Sequence, residues 1–387
     1  MAETLPQAPW TRRADLGALV AALGTGNTRY VGGAVRDTLL GLPVKDIDVA
    51  TPLIPAEVIT RLDGAGIRSV PTGIEHGTVT AVLPAGPIEI TTLRHDVSTD
   101  GRRATVAFAT DWREDAARRD FTINALYADP ATSEIQDWFG GLADLSDRRV
   151  RFIGDARERI REDHLRILRY FRFQARFGSL PADHEAEEAC AALASTLKGL
   201  SRERIGMETM NLLGLPDPAP TLARMAELGV LQQILPEAAP EALVPLVAQE
   251  RAQGIPPDAL RRLAALLPPE PALAEQVAAR FRLSSAQKKR LAVAAARQGD
   301  PGDARALAYR LGRSEALDRL LIAGAPIAPL SGWDIPRFPL KGGEVVARGI
   351  AAGPEVARTL RALEDRWIAE GFPDRDRVLE MLDESLG

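Results

Sequence analysis

"YVGGAVRDTLLGLPVKDIDVAT", residues 30–51, sets an apolar pair, two glycines, an Arg-Asp pair and two closely spaced acids in one short run. Tyr30-Val31 reads as the end of a strand and "AVRDTLLG" as a helix, so Gly32 and Gly33 fall at a strand-to-helix turn. Bare backbone at such a turn lets N–H groups approach a phosphate, and Arg36 stands near enough to meet its charge. In "KDIDVAT", Ile47 and Val49 alternate with Asp46 and Asp48. At period two the acids share one strand face while the apolar pair points to a core. Carboxylates this close raise one another's pKa unless a cation neutralises them. Mg²⁺ suits such oxygen ligands, since it takes one or two carboxylates and fills its shell with substrate phosphates and water. A solvated strand edge would carry the same Asp-Ile-Asp, so context decides. A third acid, Glu89 in "PIEITTLR" (87–94), again lies between apolar residues. It is expected on a neighbouring strand, completing a site for two metal ions in phosphoryl transfer. Two familiar phosphate motifs are absent: "GTGNTR" (24–29) has Arg29 where a dinucleotide fingerprint needs its third glycine, and no Gly-Lys-Ser/Thr occurs.

The chain around this run has 387 residues, enough for two to four domains, and 45% apolar content, which argues against general disorder. Its single cysteine, Cys190, excludes an internal disulfide and fits a reducing compartment. No apolar run reaches membrane-spanning length, and "MAETLPQAPW" lacks the pattern of a secretory signal, so a cytoplasmic protein with no membrane partner is expected. Four scattered histidines beside one cysteine make no zinc site. A net charge of −5 excludes a basic coat over the whole surface and leaves room for a local basic groove.

Residues 1–150 read as mixed α/β: "TRYVGG", "DIDVAT", "HGTVTAVL", "PIEITTLR" and "ATVAFAT" alternate with helical stretches such as "AEVITRLDGAG". From about Val150 long amphipathic helices take over, beginning with "DARERIREDHLRILRYFRFQARF" (155–177), and Pro-rich breaks such as "GLPDPAP" and "QGIPPDA" punctuate the rest. Within 155–177, Asp163, Arg166, Arg169 and Arg172 recur every third residue and wind along one side of a helix, opposite Ile167, Leu168 and Phe171. A solvated face would look the same, yet three arginines without interleaved acids repel one another and favour an anionic neighbour. In "RRDFTINAL" (118–126), Arg119 is placed to reach a triphosphate, and Asp120 and Asn124 offer polar groups to a ribose.

Gly-Gly-x-Val-Arg-Asp followed by Asp-x-Asp resembles the head motif of the polymerase-β-type nucleotidyltransferases. The stretches 114–129, 137–173 and 201–213 narrow this to the class II tRNA nucleotidyltransferase and bacterial poly(A) polymerase family, over about residues 28–213 in order. Residues 339–372 carry a fainter echo of the same family. The resemblance implies an α+β protein: a head with a mixed sheet and helices (1–150), then an all-helical neck (151–213), body (214–325) and tail (326–387). It also implies Mg²⁺-dependent addition of nucleotides to an RNA 3′ end without a template. On that basis Asp46, Asp48 and Glu89 are assigned to catalysis, the first two as metal ligands. Gly32, Gly33, Arg36, Arg119, Asp120, Asn124, Asp163, Arg166, Arg169 and Arg172 are assigned to the nucleotide.

Asp163 and Arg166 hold the positions that select the base in this family, and their chemistry suits the task. Cytosine and adenine each pair an amino donor with a ring-nitrogen acceptor; uracil and guanine present the reverse. A carboxylate beside a guanidinium therefore satisfies C and A and leaves groups unpaired against U and G. The polar run 92–106 resembles the flexible loop associated with addition of the terminal A, with His95 as a polar loop residue rather than a ligand; the bland alternative is an ordinary hairpin. Together these features predict an enzyme that adds C, C and A to tRNA from CTP and ATP. The rivals are a poly(A) polymerase, a partial CC- or A-adding enzyme, and a catalytically silent RNA-binding protein. No oligomeric state is specified. On a net-acidic chain the tRNA surface is expected to be a confined basic track, for which 285–298 is one candidate, and tRNA binding should weaken with added salt as counterions are released.

Overall fold

A computed structural model describes residues 3–100, 103–297 and 302–386, with side chains outside 95–106. The chain divides into two compact units, Met1–Glu208 with Pro220–Pro236, and Thr209–Ala219 with Glu237–Gly387.

The first unit runs α1 (Ala14–Leu23), β1 (Arg29–Val31), α2 (Gly33–Leu39), β2 (Asp48–Thr51), α3 (Pro55–Gly64), β3 (Ser69–Gly73), β4 (Thr78–Leu83), β5 (Gly86–Thr92), β6 (Arg94–Asp100), β7 (Arg103–Phe108), α4 (Trp112–Ala117), β8 (Leu126–Ala128), β9 (Ile135–Asp137) and α5 (Gly141–Ser146). Among the described residues, seven strands form one sheet in the order β3-β4-β5-β2-β1-β8-β9, and β6-β7 form a separate ribbon. Only the β2–β5 pairing in the large sheet is parallel, and its register sets Asp48 opposite Glu89. Central β2 is buried from Val49 to Thr51, as an apolar strand covered on both faces must be. The strand begins only at Asp48: Asp46 lies in the irregular run before it, so the two acids do not share a strand face as the alternation had predicted. The run 92–106 is largely a β-hairpin rather than a loop, its β-branched residues favouring extended backbone; Gly101, Arg102 and the His95 side chain lie outside the described portion.

Helices α6 (Ala156–Glu162), α7 (Arg166–Phe177), α8 (His184–Leu193), α9 (Arg202–Leu213), α10 (Ala219–Glu227) and α11 (Leu231–Ile234) follow. The single helix expected over 155–177 is two. Asp163 turns out of helical conformation, with φ −151° and ψ 104°, and its side chain accepts the Leu165 N–H at 3.1 Å. A short acid that bonds the backbone two residues ahead competes with helix continuation, and the uninterrupted apolar period hides this. On α7, Ile167, Leu168 and Phe171 are buried as expected, joined by Tyr170, Phe173 and Phe177. These rings gather around Phe121, whose centroid lies 4.9 Å from Phe152 and 5.0 Å from Phe173.

The second unit contains α12 (Leu243–Ala252), α13 (Ala259–Leu266), α14 (Pro271–Arg280), α15 (Ser285–Ala295), α16 (Ala304–Leu311), α17 (Arg313–Ile322), α18 (Gly342–Val346), α19 (Pro354–Ala369) and α20 (Arg375–Glu384). Its centre holds a buried ion network. Arg261 donates to Glu250 at 2.6 Å and Asp318 at 3.0 Å, and Arg262 donates to Glu250 at 2.8 Å and to the carbonyls of Leu213 and Pro216. Arg290 on α15 joins through Asp318 at 2.7 Å. Much of the charge in the candidate RNA track 285–298 is therefore committed elsewhere: Arg290 to this network, and Lys288 to Glu275 at 3.1 Å. A separate apolar cluster centred on Trp367 ties α18, α19 and α20 together.

Removing Glu250 would leave buried Arg262 with backbone carbonyls and no carboxylate, and buried Arg261 with Asp318 alone to balance its charge. Glu250→Ala is expected to destabilise the second unit by about 3–5 kcal/mol, read as a lower urea midpoint.

Candidate active site

Several elements deliver charged groups to one cavity beside the start of α2, of about 760 Å³, within the roughly 300–1,000 Å³ usual for small-molecule sites. Gly32 and Gly33 form one wall, Asp46 and Asp48 another, and Arg118, Arg119, Asp120 and Asn124 come from the segment after α4. Asp163, Arg166, Arg169, Arg172 and Phe173 close it from the α6–α7 region, and Arg204, Met207 and Glu208 from α9. Gly32 adopts φ 68° and ψ −120°, a conformation essentially reserved for glycine. A Cβ there would also approach Arg119 and the Asn124 carbonyl at 3.5 Å.

Asp48 is half-buried and Asp46 exposed. Burial, then the negative charges of Glu89 and Asp46, push the Asp48 carboxyl up, with Arg119 pulling the other way. Among the described residues neither aspartate forms an ion pair, and Asp46, Asp48 and Glu89 are not drawn into a three-acid cluster. Glu89 is exposed and lies outside the cavity lining. Two uncompensated carboxylates in a cavity, one of them disfavoured in its charged form, are the donor set a hard divalent cation requires. The pair fits such an ion.

The arginines are held from behind. Asp115, 1% exposed, accepts from Arg118 at 2.8 Å and Arg119 at 3.2 Å, while Arg119 also donates to the Tyr127 hydroxyl at 2.9 Å. Arg36 is buried, paired with Asp37 at 2.6 Å, bonded to the Asn124 side-chain oxygen and stacked 4.1 Å over Phe177. Burial lowers its pKa against the pull of Asp37. It lines the cavity as an anchored group rather than a free arm.

The α7 arginines have no acids interleaved on their helix, and acids of this chain supply the anionic neighbours they favour. Arg169 donates to Asp120 at 2.8 and 2.5 Å, and Arg172 to Glu208 at 2.6 Å; the acids arrive from distant sequence. Asp163 and Arg166 are linked through the backbone, the Arg166 N–H reaching the Asp163 carbonyl at 2.9 Å. Their side chains are oriented separately: Arg204 clamps the Asp163 carboxylate at 2.6 Å, and Arg166 is held by Glu162 and by the carbonyls of Arg159 and Arg118. Asp120 and Asn124, expected to face a ribose, also bond each other at 2.9 Å. The sequence reading did not single out Arg118, Arg204, Met207 or Glu208; an acid and a base four residues apart within "RERIGMETMNLL" are the available signal.

Burial raises the Asp120 pKa, but Arg169 and Asn124 more than offset it and hold the carboxyl at about 2. Because the folded pKa lies below the unfolded one, this stabilisation is present above the ordinary carboxylate range and lost as pH falls. Asp120→Asn should cost about 2–3 kcal/mol at pH 7, and the gap to wild type should close as pH drops from about 4 toward 2, measured by denaturant unfolding across pH.

Residues 28–151 match the Poly A polymerase head domain family, and residues 182–241 match a family described as "Probable RNA and SrmB- binding site of polymerase A". The mouse protein named CCA tRNA nucleotidyltransferase 1, mitochondrial, is 34% identical over 381 residues, spanning 92% of this chain and 86% of that one. A Streptococcus pyogenes CCA-adding enzyme is 45% identical over 191 residues, 48% of this chain and 46% of its own. The crystal structure of Bacillus stearothermophilus CCA-adding enzyme in complex with CTP superposes with a TM-score of 0.74 at 26% identity, covering 98% of both chains. Sequence identity over nearly the whole length, the head-family match and the shared fold agree: the chain belongs to the class II tRNA nucleotidyltransferase and bacterial poly(A) polymerase family.

Proposed function

We propose that this protein is a CCA-adding tRNA nucleotidyltransferase, which builds C, C and A onto the tRNA 3′ end from CTP and ATP without a nucleic-acid template and releases pyrophosphate. The observation that carries the reading is the single cavity that sets two unpaired aspartates opposite a wall of anchored arginines, with a carboxylate and a guanidinium at its far side. In each cycle the terminal tRNA hydroxyl attacks the α-phosphorus, a new phosphodiester forms and the α–β anhydride breaks.

Asp46 and Asp48 would hold Mg²⁺, with Glu89 opposite Asp48 adding negative potential from the next strand. Held there, such an ion would activate the attacking hydroxyl and neutralise charge on the phosphates. Arg119, pre-set by Tyr127 and Asp115, meets the triphosphate beside the bare backbone of Gly32 and Gly33. An arginine already immobilised loses little entropy when the anion arrives. Arg36 positions Asn124, and Asp120 positions both Asn124 and Arg169, so this trio shapes the ribose side. Arg172 keeps Glu208 in place. Asp163 and Arg166, each locked by partners of its own, read the Watson–Crick edge in place of a templating base.

The layout we adopt is head 1–150, neck 151–213, body 214–325 and tail 326–387, supported by the head-family match to 28–151 and by the distinct apolar cluster at 340–382. No helix among the described residues is long and apolar enough to cross a membrane. A cytoplasmic location is supported by the lone, buried thiol of Cys190.

Product length on a tRNA lacking its terminal CCA tests the proposal. Three residues added in the order C, C, A are expected; a long A tract or arrest after CC would replace it with a poly(A)- or CC-adding activity. On the same substrate Asp48→Ala should lose both C and A addition while remaining folded by circular dichroism. Asp163→Asn, able to donate as well as accept, should relax exclusion of UTP by about 10- to 150-fold, one charged hydrogen bond's worth of selectivity. Unchanged nucleotide preference in this variant would remove Asp163 from base choice.

A further inference from the structure

The α9 face that enters the cavity carries Arg204, Met207 and Glu208, spaced by three and four residues and therefore neighbours on one side of the helix. Two of the three are occupied: Arg204 by Asp163 at 2.6 Å, Glu208 by Arg172 at 2.6 Å. Met207, between them, is 52% exposed. A lone exposed methionine on an open surface needs no explanation. This one lines a cavity whose walls are mostly charged, and the other apolar side chains there, Leu165 and Phe173, are buried at 4% and 5% exposure. A core role is excluded by the exposure, and a polar side chain would serve solubility better.

We infer that Met207 is a platform for the face of the incoming nucleobase, a specificity-supporting contact beside the edge-reading pair. The inference rests on the nucleotidyltransferase reading above. The reasoning is geometric: Arg204 fixes Asp163 from one position on α9, so a base whose edge meets Asp163 lies next to the same helical face one turn further on. A flat heteroaromatic ring is the ligand part that such a site can cover with apolar contact. Methionine suits a site that must take both cytosine and adenine, because its unbranched, polarizable thioether adapts to rings of different size and makes favourable sulfur–aromatic contacts. A rigid aromatic or β-branched side chain would fit one ring size better than the other.

The test separates contact with the base from contact with the sugar and phosphates. Dissociation constants are measured for CTP, ATP and base-free ribose 5-triphosphate with wild type, Met207→Ala and Met207→Leu. Met207→Ala should weaken CTP and ATP by about 2- to 10-fold and leave ribose 5-triphosphate unchanged, with Met207→Leu restoring most of the loss. Equal weakening of all three ligands would mean a general distortion of α9, and unchanged binding of CTP and ATP would mean no contact; either overturns the inference. Incorporation of C and A by the wild-type protein on CCA-less tRNA checks the parent reading on its own: its absence removes both, whereas its presence with an unaltered Met207→Ala removes only the platform.

Discussion

One carboxylate holds the site together. Asp120 is 8% exposed and uses both oxygens: one accepts from the Phe121 N–H and from Asn124, the other takes Arg169 through two nitrogens. Asn124 in turn accepts from Arg36, and Arg36 pairs with Asp37, which also takes Arg176. A single line of polar contacts thus runs from the glycine turn through Asp120 to the middle and end of α7. Burying one unpaired charge here would cost several kcal/mol; burying a matched set costs far less and fixes geometry. The rings around Phe121 exclude water from the line, and Phe121 is the residue next to Asp120, so packing and charge constrain the same short segment.

This arrangement accounts for arginines that look excessive in the sequence. Seven of them line the cavity. Unpaired, they would repel one another and unwind α7; tied to Asp115, Asp120, Asp163, Glu162 and Glu208, they become a rigid positive wall with donors left over for an anion. Asp46 and Asp48 are the exceptions among the cavity acids, left without protein cations on the side where a metal would supply the charge. The contrast is informative: acids bonded to arginines build the wall, and the two without an ion pair fit the metal-binding role proposed for them.

Local sequence revealed the parts of this machine and concealed their couplings. The strand–turn–helix around Gly32 and Gly33 was legible, because apolar runs and glycine pairs act over a few residues. So was the neighbouring strand carrying Glu89, set by register opposite Asp48. Three features were not. Asp46 lies ahead of the strand because pairing with β1 starts only at Asp48, and alternation cannot show where a partner strand ends. Asp163 leaves the helix because its side chain captures the Leu165 N–H, an event the apolar period around it does not register. The acids opposite Arg169 and Arg172 come from 49 and 36 residues away, beyond any periodicity.

The break at Asp163 suits the base-reading role proposed for Asp163 and Arg166 in a way that a continuous helix would not. On a helix, Asp163 and Arg166 would stand one turn apart along a cylinder, their heads diverging with the surface. Freed from the helix, Asp163 is reached by Arg204 from α9, while Arg166, first residue of α7, is gripped by Glu162 and by the carbonyls of Arg159 and Arg118. The carboxylate and the guanidinium are then oriented by independent supports, each with little freedom of its own. A side-chain pair can stand in for a templating base only if neither half can turn to satisfy the wrong edge, since selectivity comes from leaving mismatched groups unpaired. On the base-reading role proposed for Asp163 and Arg166, rigidity at these two residues, rather than their identity alone, is what would let a protein dictate a nucleotide sequence.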